Sequence, residues 1–292
     1  MTAALEVRNV VVDYGGVRAL DDIAVSVGPG EIVGFIGPNG SGKTTLLDVI
    51  SGQTRAKSGS VLLDGQDLAY HLPEDRAAVG LVRSFQDCRL YSELSVEETL
   101  LVAEDARRPI GVVASVLRLP RFSRAERAKR ESVEAALAAL GLDRFRHNLI
   151  GELSTGTRRI VDLATTLAAH PRLLLLDEPT AGIAQREAEA FGPLLRRMHE
   201  VTGATICLVE HDVPLACSLC DRLVVMEAGK VAASGTPKEV LADPVAIAAY
   251  LGASREALAR SGLLRPPRRR RQLVAQRASD TASAPTKKNR SR

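Results

Sequence analysis

The sequence predicts an α/β protein built on a mainly parallel sheet with crossover helices. Three observations carry that expectation. The second half alternates apolar strand-like runs with helical ones, from "RLLLLDEP" through "TICLVEHD" and "DRLVVMEAGK" to "VAASG"; this order builds parallel βαβ units. A wholly apolar run near the start, "IVGFIG", feeds directly into a glycine-rich turn and then a helix. The middle, from about Val96 to Leu140, has mostly helical spacing.

Taken in order, "LEVRNVVVDY" and "IAVSV" interleave polar and apolar positions and read as strands. Gly28 to Glu31 ("GPGE") makes a tight turn before the buried strand "IVGFIG". "TTLLDVISGQ" has helical apolar spacing and a C-cap glycine at Gly52. "GSVLLDGQDL" reads as a further strand and turn. Two helices follow, "SVEETLLVAEDARR" and "SRAERAKRESVEAALAALGL", the second opened by a capping box of Ser123 and Glu126. Between them, "RPIGVVASVLRLP" reads as a short helix bounded by prolines. The helix "RRIVDLATTLAAH" precedes "RLLLLDEP", expected as a central strand. No internal repeat is visible, so one copy of any machinery is expected.

Composition bounds the class. The 292 residues are 45% hydrophobic and 25% charged, ordinary for a soluble globular chain with a sizeable core. No apolar run approaches the roughly 18 residues that a membrane span needs. "MTAALEVRNV" lacks a basic stretch followed by an apolar block, so a cytosolic protein is expected. The four cysteines, Cys88, Cys207, Cys217 and Cys220, are then expected to be reduced. "CSLC" stands alone, without a second pair or a histidine cluster, and reads as small apolar residues on a buried helix face. Charge is uneven. Arg265 to Arg292 holds ten Arg and Lys against Asp280, a tail of +9 that leaves the rest at −5 within a net +4. Rich in Arg, Pro, Ser and Ala, this tail is expected to be disordered. It reads as a solvated end, or as a contact to anionic lipid or nucleic acid.

Gly37-Pro38-Asn39-Gly40-Ser41-Gly42-Lys43-Thr44 fits G-x-x-x-x-G-K-[ST]. The chemistry behind that pattern is specific. A buried strand delivers a loop whose N–H groups surround phosphate oxygens, and the next helix adds its positive N-terminal end. Lys43 is placed to reach the β- and γ-phosphates, and the Thr44 hydroxyl to bind Mg²⁺; Thr45 follows in the same first turn. Downstream, "LLLLDEP" places two carboxylates at a strand's C-terminal end, where open α/β sheets bind ligands. Asp177 is expected to orient Mg²⁺, directly or through water, and Glu178 to accept a proton from the attacking water.

These residues resemble the ATP-binding subunit of an ABC transporter, over roughly residues 5–252. The order "VDYGGVRAL", "GPNGSGKTT", "SFQ", "LSTGT", "LLLLDEPTAG", "VEHD" carries the likeness. The resemblance implies a P-loop NTPase fold: a RecA-like parallel-sheet core, an N-terminal antiparallel β subdomain and an α-helical signature subdomain at about 87–158. It implies a cassette over residues 1–264, followed by the basic tail 265–292. It implies that Tyr14 stacks on adenine, a contact of about 1–3 kcal/mol in comparable settings. Gln86 resembles the glutamine that touches Mg²⁺ and the attacking water and senses the membrane partner. His211 resembles the switch histidine on the γ-phosphate. "LSTGTRRIVDLA" resembles the ABC signature, in which Ser154, Gly156 and a helix start face the γ-phosphate in another subunit's site. That implies a dimer closing over two ATP molecules.

Two departures from the family pattern stand out. Thr155 and Thr157 occupy the third and fifth signature places, usually Gly and Gln, so Thr157 lacks a long amide. Ala184 stands where the family carries Asp or Asn, so weaker cross-subunit control of hydrolysis is expected, in a homodimer or in an asymmetric pair with a different ATPase.

The branch that fits is the branched-chain amino acid importers. "GLVRSFQDCRLYSELSVEETLLVA", the long helical insert before "LSTGT" and the ending "ASGTPKEVLADPVAIAAYLG" are similar to theirs. This implies transmembrane permease subunits, a second ATPase and an extracytoplasmic solute-binding protein as partners. It places the chain on the cytoplasmic face of the membrane, with Leu, Ile, Val or related amides and urea as substrates. The alternatives are the ATPase of a lipopolysaccharide-type exporter, a soluble non-transport ABC ATPase, and a regulatory module without turnover.

Overall fold

The structure, a computed structural model, describes residues 4–84, 90–107, 120–168, 170–183 and 185–249. Two sheets organise it. The first is antiparallel, with β1 (Leu5–Tyr14), β2 (Val17–Val27), β4 (Ser58–Leu63) and β5 (Gln66–Asp67) in the order β2-β1-β4-β5. β1 begins and ends where its alternation predicts, but β2 starts well before "IAVSV". The β1–β2 register shifts between Val7 and Val10, where Asn9 takes a positive φ of 48°. This bulge breaks the strict alternation of the sequence there.

The second sheet has β3 (Ile32–Ile36), β6 (Leu81–Arg83), β7 (Leu173–Asp177), β8 (Thr205–Val209), β9 (Arg222–Glu227) and β10 (Lys230–Gly235) in the order β10-β9-β3-β8-β7-β6. All pairings are parallel except β9–β10. β7 is an interior strand, as a run of four leucines requires. It is not central, however, because the short β6 is all that lies beyond it. The middle places belong to β3 and β8.

Both faces of this sheet are covered, which is why its strands read as continuous apolar runs. Ile32, Ile36, Leu174, Leu176, Ile206 and Leu208 point into one apolar cluster. Val33, Phe35, Leu173, Leu175, Cys207 and Val209 point into another. The second cluster is closed by the antiparallel sheet and by α1 (Lys43–Ser51), through Leu46, Leu47, Val49 and Ile50. The first is closed by α3 (Val96–Arg107), α4 (Pro120–Leu140), α5 (Thr155–Ala168), α6 (Gln185–Thr202) and α7 (Val213–Leu219). Two further short helices are α2 (Pro73–Ala78) and α8 (Pro237–Ala242), and residues 244–249 form another helical turn.

Gly52 ends α1 as expected, at φ +83° with its N–H directed to the Asp48 and Val49 carbonyls. The expected capping box at Ser123 is not the helix start. α4 begins at Pro120, whose fixed φ suits a first turn, and Glu126 instead accepts from Lys129 at 2.9 Å. Cys217 and Cys220 flank the end of α7, with Cys220 buried against the sheet and Cys217 half-buried; Cys207 lies inside β8. All three are free thiols. Most of "RPIGVVASVLRLP", Cys88 and the basic tail lie outside the described residues.

Candidate nucleotide site

The glycine-rich loop leaves the C-terminal end of β3 and returns into α1, and the backbone explains its glycines. Gly37 has φ +152°, and a Cβ there would lie 2.1 Å from the Met226 carbonyl oxygen. Gly42, at φ +100°, caps α1, and a Cβ there would lie 2.7 Å from the Ala19 carbonyl oxygen. The loop is braced from behind, because Gly229 N–H donates to the Ser41 carbonyl and Asp21 N–H to the Gly229 carbonyl.

Lys43 is buried, 5% exposed, and folds back over the loop. Its Nζ donates to the carbonyls of Gly37 and Pro38 at 2.9 Å each and approaches Ser41 Oγ at 3.4 Å. Burial pulls its pKa below the usual lysine value, while Glu178 and Asp177 oppose that shift. No side chain caps α1. Its first-turn amides, including those of Thr44 and Thr45, have no intrahelical acceptor and are left for an external one. The Thr44 side chain is exposed; Gly40 carries φ +78° with open space where a Cβ would stand. Together with Asn39, these groups supply donors and a helix start suited to an oligophosphate.

β7 brings the carboxylates to the same edge. Asp177 is 4% exposed, and burial raises its pKa even though Arg83 opposes this. Arg83 Nη2 donates to Oδ2 at 2.9 Å, whereas Oδ1 is buried with no protein partner. An orphaned carboxylate oxygen, on a residue whose charge acts on Lys43 of the glycine-rich loop, fits Mg²⁺, which favours few protein ligands plus phosphate oxygens and water. No group of three or more His, Cys, Asp or Glu suited to a metal occurs among the described residues.

Glu178 follows at φ +48°, a left-handed conformation that a non-glycine residue adopts only when its surroundings enforce it. Its N–H donates to the Val209 carbonyl, and its Oε1 lies 2.7 Å from His211 Nε2. Glu178 and His211, singled out separately in the sequence, are therefore in contact within one chain. Sequence reasoning missed the residue beneath it. Glu210 is buried and accepts from Thr180 Oγ1 at 2.6 Å and His211 N–H at 3.0 Å, with longer contacts from Thr180 and Asp212 N–H. Burial raises its pKa despite those donors. It ties the turn after β7 to the turn after β8; its only sequence signal is its place before His211 in "VEHD".

Other expected residues have local contacts of their own. Tyr14 ends β1, half-exposed, with its hydroxyl 3.1 Å from Thr54 Oγ1. Ser154 receives the Thr157 N–H at 3.2 Å, pairs with Thr157 Oγ1 at 3.0 Å and donates to Glu187 Oε1 at 3.0 Å. Thr157, the departure from the family pattern, thus closes a cap at the start of α5. Gly156 lies so close to Glu187 that a Cβ would stand 2.4 Å from that carboxyl carbon. Gln86 and Ala184 lie outside the described residues.

Comparison with known proteins decides the family. Residues 20–181 match the ABC transporter family, more than half of the chain. The chain belongs to that family. Residues 230–256 of this cassette match the branched-chain amino acid ATP-binding cassette transporter family. It is 34% identical over 248 residues to the high-affinity branched-chain amino acid transport ATP-binding protein BraF of Pseudomonas aeruginosa, covering 85% of this chain and 97% of that one. LivG of Escherichia coli K12 matches to the same extent. The lipopolysaccharide export ATP-binding protein LptB of Haemophilus influenzae is 29% identical over 248 residues, with the same coverage. Among solved structures, the ADP conformation of MJ1267, an ATP-binding cassette of an ABC transporter, superposes with TM-score 0.71 at 31% identity, covering 86% of this chain and all of that one. The cassette is accordingly the ATP-binding, ATPase subunit of an ABC transporter. No described helix is long and apolar enough to cross a membrane.

Proposed function

We propose that the cassette binds Mg–ATP in the Gly37–Thr45 loop and hydrolyses it to power import of branched-chain amino acids or related amides and urea. In this reading the loop amides and the Lys43 ammonium hold the β- and γ-phosphates. Thr44 and the free oxygen of Asp177 hold the cation, which neutralises charge on the terminal phosphates. Glu178 accepts a proton from the attacking water, and His211, within hydrogen-bond reach of Glu178, orients it toward the γ-phosphate. Glu210 holds both turns so that this pair persists. Gln86 completes the metal and water contacts, Tyr14 stacks on adenine, and Ser154 and Gly156 serve a second ATPase's site across a dimer.

The observation that carries the chemistry is the Glu178–His211 contact of 2.7 Å at the same sheet edge as buried Lys43. The match over residues 230–256 favours the branched-chain branch over lipopolysaccharide export. The proposed partners are permease subunits, a second ATPase and an extracytoplasmic solute-binding protein, with the cassette at the cytoplasmic face. Glu178→Gln tests the chemistry: ATP binding persists, hydrolysis stops and an ATP-bound dimer accumulates. Normal turnover by this variant would remove the carboxylate from the mechanism. Stimulation of ATPase by Leu, Ile or Val in the reconstituted membrane complex tests the cargo.

A further inference from the structure

Arg83 is the last residue of β6. Its side chain is 8% exposed and joins groups on two other elements. Nη2 donates to Asp177 Oδ2 at 2.9 Å, while Nη1 donates to Asp48 Oδ1 at 2.5 Å and Ser51 Oγ at 3.1 Å. Asp177 closes β7. Asp48 and Ser51 sit on α1, whose first turn carries Lys43 and Thr44. One planar guanidinium thus spans the strand bearing the carboxylate and the helix that follows the phosphate loop.

The consequence is geometric. An aspartate at a strand end can rotate about χ2 and exchange its oxygens. A fixed donor on Oδ2 stops that rotation and presents Oδ1 alone to the site. The second arm, on Asp48 and Ser51, prevents the clamp from drifting with β6. Lysine cannot reproduce this, because an ammonium is a point donor without the two-armed fork.

We propose that Arg83 is a positioning residue for the cation–nucleotide site, fixing Asp177 Oδ1 relative to the Thr44 hydroxyl by clamping β7 to α1. The proposal rests on the Mg–ATP reading of the loop. It differs from a purely structural role, which would lower stability without changing how strongly the cation and nucleotide reinforce one another.

The test uses the full chain with Arg83→Lys, Arg83→Met and Asp48→Ala. Affinity for a fluorescent ATP analogue is measured with saturating Mg²⁺ and with EDTA, and Mn²⁺ affinity in the presence of nucleotide is measured by electron paramagnetic resonance. Both Arg83 variants should bind the analogue in EDTA as the parent does, yet lose about 10-fold or more in Mn²⁺ affinity, the range for groups that orient a metal ligand. The ratio of Mg²⁺ to EDTA affinity should fall in parallel. Folded Arg83 variants with parental Mn²⁺ affinity and ratio would overturn the proposal. If neither variant folds, Asp48→Ala decides, because it keeps the Asp177 contact and removes the main tether to α1. Weaker Mn²⁺ binding supports the clamp, and parental binding refutes it. A parent chain that binds neither analogue nor Mn²⁺ would refute the underlying reading, whereas a binding-competent parent with unchanged variants refutes only the role of Arg83.

Discussion

Replacing Gly37 by alanine separates two reasons for a glycine in the phosphate loop. The first is conformational: at φ +152° the residue occupies a region that only glycine adopts readily, so alanine costs about 1–3 kcal/mol. The second is steric, because the new Cβ would lie 2.1 Å from the Met226 carbonyl oxygen, 3.0 Å from Ser41 Oγ and 3.1 Å from the Met226 carbonyl carbon. Two of these are backbone atoms of β9, so relief requires the loop or the strand to move, at about 1–3 kcal/mol more. Gly40→Ala is the control. It carries a positive φ of 78° but meets nothing within 4 Å, so only a backbone penalty of about 1–2 kcal/mol applies. At about 2–4 °C per kcal/mol for a domain of this size, Gly37→Ala should melt roughly 4–24 °C below the parent and Gly40→Ala about 2–8 °C below. Thermal melts followed by circular dichroism read both. Displacing Gly37 also moves a carbonyl that holds Lys43, so ATP-analogue affinity should fall with stability. Equal melting temperatures for the two variants would refute the steric argument.

Three further outcomes follow from the same structure. Burial pushes the Asp162 carboxyl up to about 6, with Arg159 opposing, so its charge disfavours the fold above that pH and the penalty fades toward the unfolded value of 3.8. Asp162→Asn should therefore stabilise by about 1–2 kcal/mol at pH 7.5, discounted for partial exposure. This gain should shrink as pH falls from 6 to 4; a constant gain across melts at several pH values would contradict it. Glu210→Ala removes an acceptor shared by the turns after β7 and β8 and should cost about 2–3 kcal/mol. It should lower kcat more than nucleotide affinity; a variant with parental kcat would show that the Glu178–His211 pair stands unaided. Burial pushes the Cys207 thiol up to about 12 and Cys220 higher still, so both should resist alkylation at pH 8 until the protein unfolds, as mass spectrometry would show.

The parts of this cassette legible in the sequence were those with dense local signals. The β3–loop–α1 unit declares itself because an apolar strand, a fixed glycine spacing and a helical run are contiguous. β7 was legible as a buried strand, but its place in the sheet was not, because strand order depends on β6. That strand has only Leu81, Val82 and Arg83, too few residues for a periodic pattern. Ser123 misled because a capping box also occurs by composition within helices; Pro120, a better first-turn residue, set the start of α4 instead. Glu210 and Arg83 were unassigned for another reason. Each acts through residues 30 or more positions away, Thr180 in one case and Asp48 and Asp177 in the other. Such contacts leave no trace in spacing.

The sheet register explains why three separate segments arrive at one edge. In the parallel ladders Phe35 pairs with Val209, and Val209 pairs with Asp177. The three form one row across β3, β8 and β7, the last turn of pleat before each chain leaves the sheet. Asp177 lies in that row, and the central groups of the site come one to eight residues beyond it: the Gly37–Lys43 loop from β3, Glu178 from β7, and Glu210 and His211 from β8. Strands about 4.8 Å apart then set the lateral spacing of these groups. The row also fixes which side chains face which layer, because a one-residue slip exchanges the two faces. A slip of β8 would bury His211's neighbours in the wrong cluster and detach Glu178 N–H from the Val209 carbonyl. The apolar packing that selects the fold therefore also aligns the carboxylate, the histidine and the phosphate loop, and substitutions in either apolar cluster should disturb hydrolysis in proportion to how far they shift that row.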